Sequence, residues 1–176
     1  GEDHPDYATT LNNLADLYCE TGEYGKAQAF FERAMETTKR VLGENHPSYA
    51  TSLSNLAVLY HRMGQYAKAE PLLLQAMDIK KKALGEDHPS LAITLSNMAE
   101  LYSAMGHYDK AEPLYQRVVE ITRTALGEKH HEYVRSLNNL AGLHVDISQY
   151  DKARSVLEHV IDIAKRVLGE DHPWYA

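Results

Sequence analysis

The amino-acid sequence predicts an all-α fold, an α-solenoid of stacked antiparallel helix pairs, and three observations carry that expectation. The first is a fixed period. Leu11–Tyr18, Leu53–Tyr60, Leu95–Tyr102 and Leu137–His144 are copies of one stretch, each 42 residues after the last. A period of this size marks one helical unit stacked on copies of itself. The second is the spacing of apolar residues: Leu11, Leu14, Ala15 and Tyr18 fall on one face of a 3.6-residue helix. The third is punctuation, with glycine returning at Gly22, Gly64 and Gly106, where a first helix must stop.

Residues 1–42, 43–84, 85–126 and 127–168 align without gaps, and 169–176 read as the start of a fifth unit. Eleven positions are identical in all four units, in the first of them Gly1, Glu2, His4, Leu11, Asn13, Ala15, Leu17, Tyr24, Lys26, Ala27 and Leu42. The chain therefore reads as four units of one solenoid domain, cut from a longer array.

Each unit predicts two helices. The first spans about Pro5 to Glu20, with Pro5 in the first turn, where its missing N–H is no loss. Gly22 ends it. Unit four has Ser148 in that place, a poorer stop by up to about 1 kcal/mol if the left-handed geometry is kept. The second helix spans about Tyr24 to Leu42, with Tyr24, Ala27, Phe31, Ala34 and Met35 as its apolar face. Its last turns are basic, at Lys39-Arg40, Lys80-Lys81-Lys82 and Lys165-Arg166, which complements the helix dipole. Pro71 and Pro113 lie past the free first turn and should each cost a hydrogen bond and bend the axis. The apolar period around them still predicts helix. Alanines let the helices approach closely, and Leu14, Tyr18, Tyr24 and Phe31 are expected to fill the gaps between units.

The period alone also fits HEAT or armadillo repeats. The pattern Leu-x-x-Leu-Ala-x-x-Tyr-x-x-x-Gly-x-Tyr-x-x-Ala, however, resembles the tetratricopeptide (TPR) signature. The junction Leu-Gly-x-x-His-Pro-x-x-Ala, with its extra length, is similar to the 42-residue kinesin light chain type. This resemblance covers essentially the whole chain. It implies a right-handed TPR superhelix and a protein-binding scaffold that takes a peptide or partner protein along its concave, first-helix face.

Composition narrows the function. Hydrophobic residues make up 44% and charged residues 24%, as in folded globular proteins. The net charge of −7, with no strongly basic unit, gives nucleic acid no electrostatic support. No apolar run approaches the roughly 20 residues a membrane span needs, so no membrane partner is expected. The lone Cys19 excludes an internal disulfide and favours a reducing, cytoplasmic setting.

No chemistry-bearing motif stands out. The recurrent His4, His46, His88, His130 and His172 lie on successive units. Units stack on the order of 10 Å apart, too far for a shared metal, so these histidines read as junction residues and no metal or cofactor is expected. His131-Glu132 lacks the second histidine of a zinc-protease helix, since Arg135 stands there. Phosphate-binding loops, Cys-x-x-Cys and Gly-x-Ser-x-Gly are missing, and the chain reads as no enzyme.

The remaining candidates are polar and repeated. Asn13, Asn55, Asn97 and Asn139 lie one step, about 100° of helix, from the core residues Leu14, Leu56, Met98 and Leu140. Asparagine is a poor helix former, so four copies at one place need a reason. Each amide can bond the neighbouring unit and fix the stacking, or can bind the extended backbone of a ligand. The resemblance favours the second. It also places Asn12, Asp16, Thr9, Cys19 and Glu20 in the groove, with Ser54, Arg62, Thr51, Val58 and His61 in unit two. Ser96, Glu100, Ile93, Ser103 and Ala104 follow in unit three, and Arg135, Asn138, Gly142, Val145 and Asp146 in unit four. Only Arg62 and Arg135 are basic. This departs from relatives that clamp acidic peptides, and a neutral or mildly basic peptide is expected. The alternative is self-assembly end to end through exposed apolar repeat faces, with Trp174 either in such a contact or in the core of unit five.

Overall fold

A computed structural model describes residues 4–168. Eight α-helices are found among the described residues: α1 (Pro5–Glu20), α2 (Tyr24–Leu42), α3 (Pro47–Arg62), α4 (Tyr66–Leu84), α5 (Pro89–Ala104), α6 (Tyr108–Leu126), α7 (His131–Asp146) and α8 (Tyr150–Leu168). The backbone forms two compact units, divided between Glu86 and Asp87. In the first, α1 packs on α2, α2 on α3 and α3 on α4, and α1 also touches α3. In the second, α5 packs on α6, α6 on α7 and α7 on α8. The fifth unit expected at 169–176, with His172 and Trp174, lies outside the described residues.

Each first helix opens on histidine. The Nδ1 atoms of His4, His46, His88 and His130 accept the backbone N–H two residues on, at 3.0–3.2 Å. The junction histidines are thus N-caps, each satisfying one of the donors a helix start leaves without a partner. Proline follows in α1, α3 and α5. Each first helix closes by a Schellman motif. In the first copy Gly22 N–H bonds the Cys19 carbonyl at 3.1 Å and Glu23 N–H bonds the Tyr18 carbonyl at 2.8 Å. Ser148 keeps the motif at φ 60°, the only left-handed residue other than glycine among those described. Pro71 and Pro113 sit inside α4 and α6 without interrupting either helix.

The core of each pair is built on alanine. Ala15, Ala27 and Ala34 are fully buried, as are Ala57, Ala69 and Ala76, and Ala99 and Ala111. Larger side chains fill between them. Tyr49, Leu53 and Ile79 cluster in the first compact unit, and Tyr115, Leu140 and Leu143 in the second. Two buried hydroxyl pairs tie second helices to the first helices that follow: Thr38 to Ser52 at 3.2 Å and Thr122 to Ser136 at 3.0 Å.

One expectation needs correcting. Tyr24 does not fill the core. It stands at the very start of α2, and it and its copies Tyr108 and Tyr150 are exposed, because the first residue of the helix projects past the facing helix. Lys80, unlike its neighbours Lys81 and Lys82, is buried. It takes the place that Thr38 and Thr122 hold and is 2% exposed.

Candidate functional site

The first helices of each compact unit border clefts that collect most of the repeated polar residues. In the first compact unit, α1 and α3 flank a cleft of about 300 Å³ lined by Thr9, Asn12, Asn13, Asp16, Thr51 and Asn55, with the Thr38–Ser52 pair beneath. Asn13 is exposed and Asn55 half-buried. The Oδ1 of Asn12 is buried without a hydrogen-bond partner. Partial burial raises the Asp16 pKa, and the Arg62 guanidinium works against that rise. Arg62 itself pairs with Glu20 at 3.0 Å. Two candidates turn away from the cleft. Ser54 is buried and donates to the Ala50 carbonyl at 2.9 Å. Cys19 is buried, and burial pushes its thiol pKa up, so it presents no thiolate nucleophile.

In the second compact unit, α5 and α7 border two cavities. One, of about 270 Å³, is lined by Ile93, Ser96, Leu126, Glu132, Arg135 and Asn139. The other, of about 310 Å³, is lined by Glu100, Ser103, Tyr115, Asn138, Gly142 and Asp146, and again by Asn139. Asn139 therefore faces both, and its amide N–H reaches Ser96 Oγ at 3.4 Å. The Arg135 guanidinium pairs with the Glu132 carboxylate one turn earlier. Protein packed around the Glu100 carboxyl raises its pKa, opposed by Arg135. Burial, with Glu100 and Asp146 nearby, pushes the Tyr115 phenol up to about 12. Asn97 is half-buried on α5, and Asn138 is exposed on α7.

Sequence reasoning missed one recurrent arrangement. Lys26, present in every unit, carries its ammonium over the Tyr18 ring, and Lys68 and Lys110 do the same over Tyr60 and Tyr102. The only signal was the invariant eight-residue spacing. No group of three or more His, Cys, Asp or Glu able to hold a metal occurs among the described residues. Nor is any helix among them long and apolar enough to cross a membrane.

Capped helix pairs, Schellman turns, alanine crossings and polar first-helix clefts define a helix-pair repeat protein. Tetratricopeptide repeat models match residues 6–82, 55–124 and 91–166, and the chain belongs to the tetratricopeptide repeat family. Such repeats are generally protein-interaction scaffolds. The crystal structure of a Podosopora anserina kinesin light chain protein with nearly identical TPR-like repeats is similar, at TM-score 0.85 and 30% identity. The match covers 98% of this chain and 82% of that one. A variant of that protein matches at TM-score 0.77 and 29% identity, over 94% and 78% of the two chains. BtubC (BKLC) from P. vanneervenii shares the fold at TM-score 0.80 and 22% identity, over 97% of this chain and 68% of that one. None of the curated proteins matches.

Proposed function

We propose that the chain is a non-catalytic scaffold that binds an extended peptide segment of a partner protein along its first-helix clefts. The observation that carries this reading is the gathering of repeated amides at the clefts: Asn12, Asn13 and Asn55 line the cleft between α1 and α3, and Asn139 lines both cavities between α5 and α7. Each amide has both donor and acceptor, suited to a peptide's N–H and C=O, and each such bond adds about 0.5–1.5 kcal/mol. The test is selection from a displayed library of random short peptides, followed by Asn55→Ala with Asn97→Ala. Binding should weaken while the melting temperature barely moves. A large stability loss with binding unchanged would assign the asparagines to stacking instead.

A further inference from the structure

The two compact units differ where their first helices carry charge and bulk. In the second, Ile93 replaces the Thr9 of the first, and Glu100 aligns with Asp16. Asp146 aligns with Arg62, which in the first unit neutralises Glu20. The α5/α7 face is therefore half apolar and half acidic. Ile93, half exposed, and Leu126 wall one cavity, while Glu100 and Asp146 line the other. Around the pair, the carboxylates of Glu100, Glu132 and Asp146 stand against the single guanidinium of Arg135. Arg135 is already engaged by Glu132, which leaves Glu100 and Asp146 as the excess negative charge.

Gly142 lies between these features. Glycine inside a helix costs about 1 kcal/mol relative to alanine. An added Cβ at Gly142 would meet nothing within 4 Å, so the protein's own packing does not demand the glycine. Its effect is to leave the α7 backbone bare at the floor of the acidic cavity, open to close approach by another chain.

The spacing sets the ligand. Ile93 and Glu100 are two turns apart on α5, about 10 Å at 1.5 Å per residue. A polyproline-type segment presents residues three apart on the same side, spaced about 9 Å. We infer that the α5/α7 face takes a partner's extended segment with an apolar side chain seated between Ile93 and Leu126. Three positions away along that segment, a lysine or arginine sits between Glu100 and Asp146, and the segment's backbone crosses Gly142 and Asn139. This rests on the peptide-binding reading above and adds the chemistry of the peptide.

Fluorescence anisotropy with labelled synthetic peptides tests it. The probes carry leucine-proline-proline-lysine, the reverse order, or leucine-proline-proline-glutamate, each within glycine-serine flanks. One of the two lysine peptides should bind about tenfold more tightly than the glutamate peptide. Glu100→Gln with Asp146→Asn should bring that ratio close to one, with the melting temperature retained. Gly142→Ala should weaken lysine-peptide binding while the protein melts no lower. Equal or tighter binding of the glutamate peptide, no binding of either lysine peptide, or an unchanged ratio in the double variant would overturn the inference. If library-selected peptides then still lose affinity in the Asn55→Ala, Asn97→Ala protein, the broader reading stands without this one. If they do not, both fall.

Discussion

The Lys68 ammonium sits 5.2 Å from the centre of the Tyr60 ring, joining the first and second helices of one pair. The same relation holds for Lys26 with Tyr18 and for Lys110 with Tyr102, each at 5.1 Å. In the fourth pair histidine replaces the tyrosine. There Lys152 bonds Glu112 at 3.3 Å, and buried His144 reaches the same carboxylate oxygen at 3.3 Å. A cation held over a tyrosine face near the surface is worth about 0.5–1 kcal/mol. A double-mutant cycle of Tyr60→Leu and Lys68→Met should therefore show a coupling of about that size in urea unfolding. The Tyr60 substitution alone should cost more, because the ring is 8% exposed and its hydroxyl lies 3.5 Å from Glu32. Strict additivity of the two single changes would remove the ring–ammonium interaction from the account.

Ser148 holds a left-handed backbone for which its side chain is ill suited. Its φ is 60°, beside 76°, 70° and 76° at Gly22, Gly64 and Gly106. Its backbone still closes the turn, with Gln149 N–H on the His144 carbonyl at 2.7 Å. Ser148→Gly should raise stability by about 1 kcal/mol, offset only by the loss of a long 3.5 Å hydrogen bond from Tyr150. The reciprocal Gly106→Ser should lower it by a similar amount. Thermal unfolding of the two variants checks both signs, and a Ser148→Gly protein that melts lower would contradict the strain argument.

Pro71 and Pro113 lie within helices of the same 19-residue length as α2, which has Ala29 at the matching place. Both prolines are exposed, so replacing them removes no core packing. Each forgoes one intrahelical hydrogen bond. Pro71→Ala should stabilise by about 1–3 kcal/mol, somewhat reduced because proline also restricts the unfolded chain. The expected signature is a higher denaturant midpoint with an unchanged slope. A lower midpoint would mean that α4 is adapted to its proline.

The helices were legible because local signals agreed. Histidine-proline opens a helix, glycine closes it, and the apolar period between them runs unbroken, so Pro5–Glu20 and Tyr24–Leu42 could be read to the residue. What escaped depends on side chains meeting across helices. Nothing local shows that His88 Nδ1 turns back onto the N–H of Ser90, or that Thr38 finds Ser52 across a junction. Tyr24 looked like core because its spacing fits the apolar stripe, but spacing does not register that a helix end projects beyond its neighbour. Ser54 and Asn12 occupy the same place in successive units, yet one turns its hydroxyl to its own helix and the other leaves an acceptor at a cleft.

Lys80 carries the sharpest pH dependence. Thr38 and Thr122 fill their places with a hydroxyl bonded to Ser52 and Ser136, whereas Lys80 brings an ammonium into a site 2% exposed. Burial lowers its pKa from the ordinary 10.5 to about 8. Below pH 8 the lysine is charged in both folded and unfolded states, and burial disfavours that charge in the folded state by roughly 3 kcal/mol, for a shift of this size. Between about pH 8 and 10.5 the folded protein releases the proton while the unfolded chain keeps it, so this residue's contribution to stability rises with pH. Lys80→Met should therefore stabilise the protein at neutral pH by about 1–3 kcal/mol. That advantage should shrink steadily as the pH is raised from 8 towards 10. Urea unfolding of both proteins across this range measures the difference directly, since all other titrating groups are common to the two. An advantage that does not change with pH, or a methionine variant less stable at pH 7, would show that Lys80 keeps its charge in the fold without penalty.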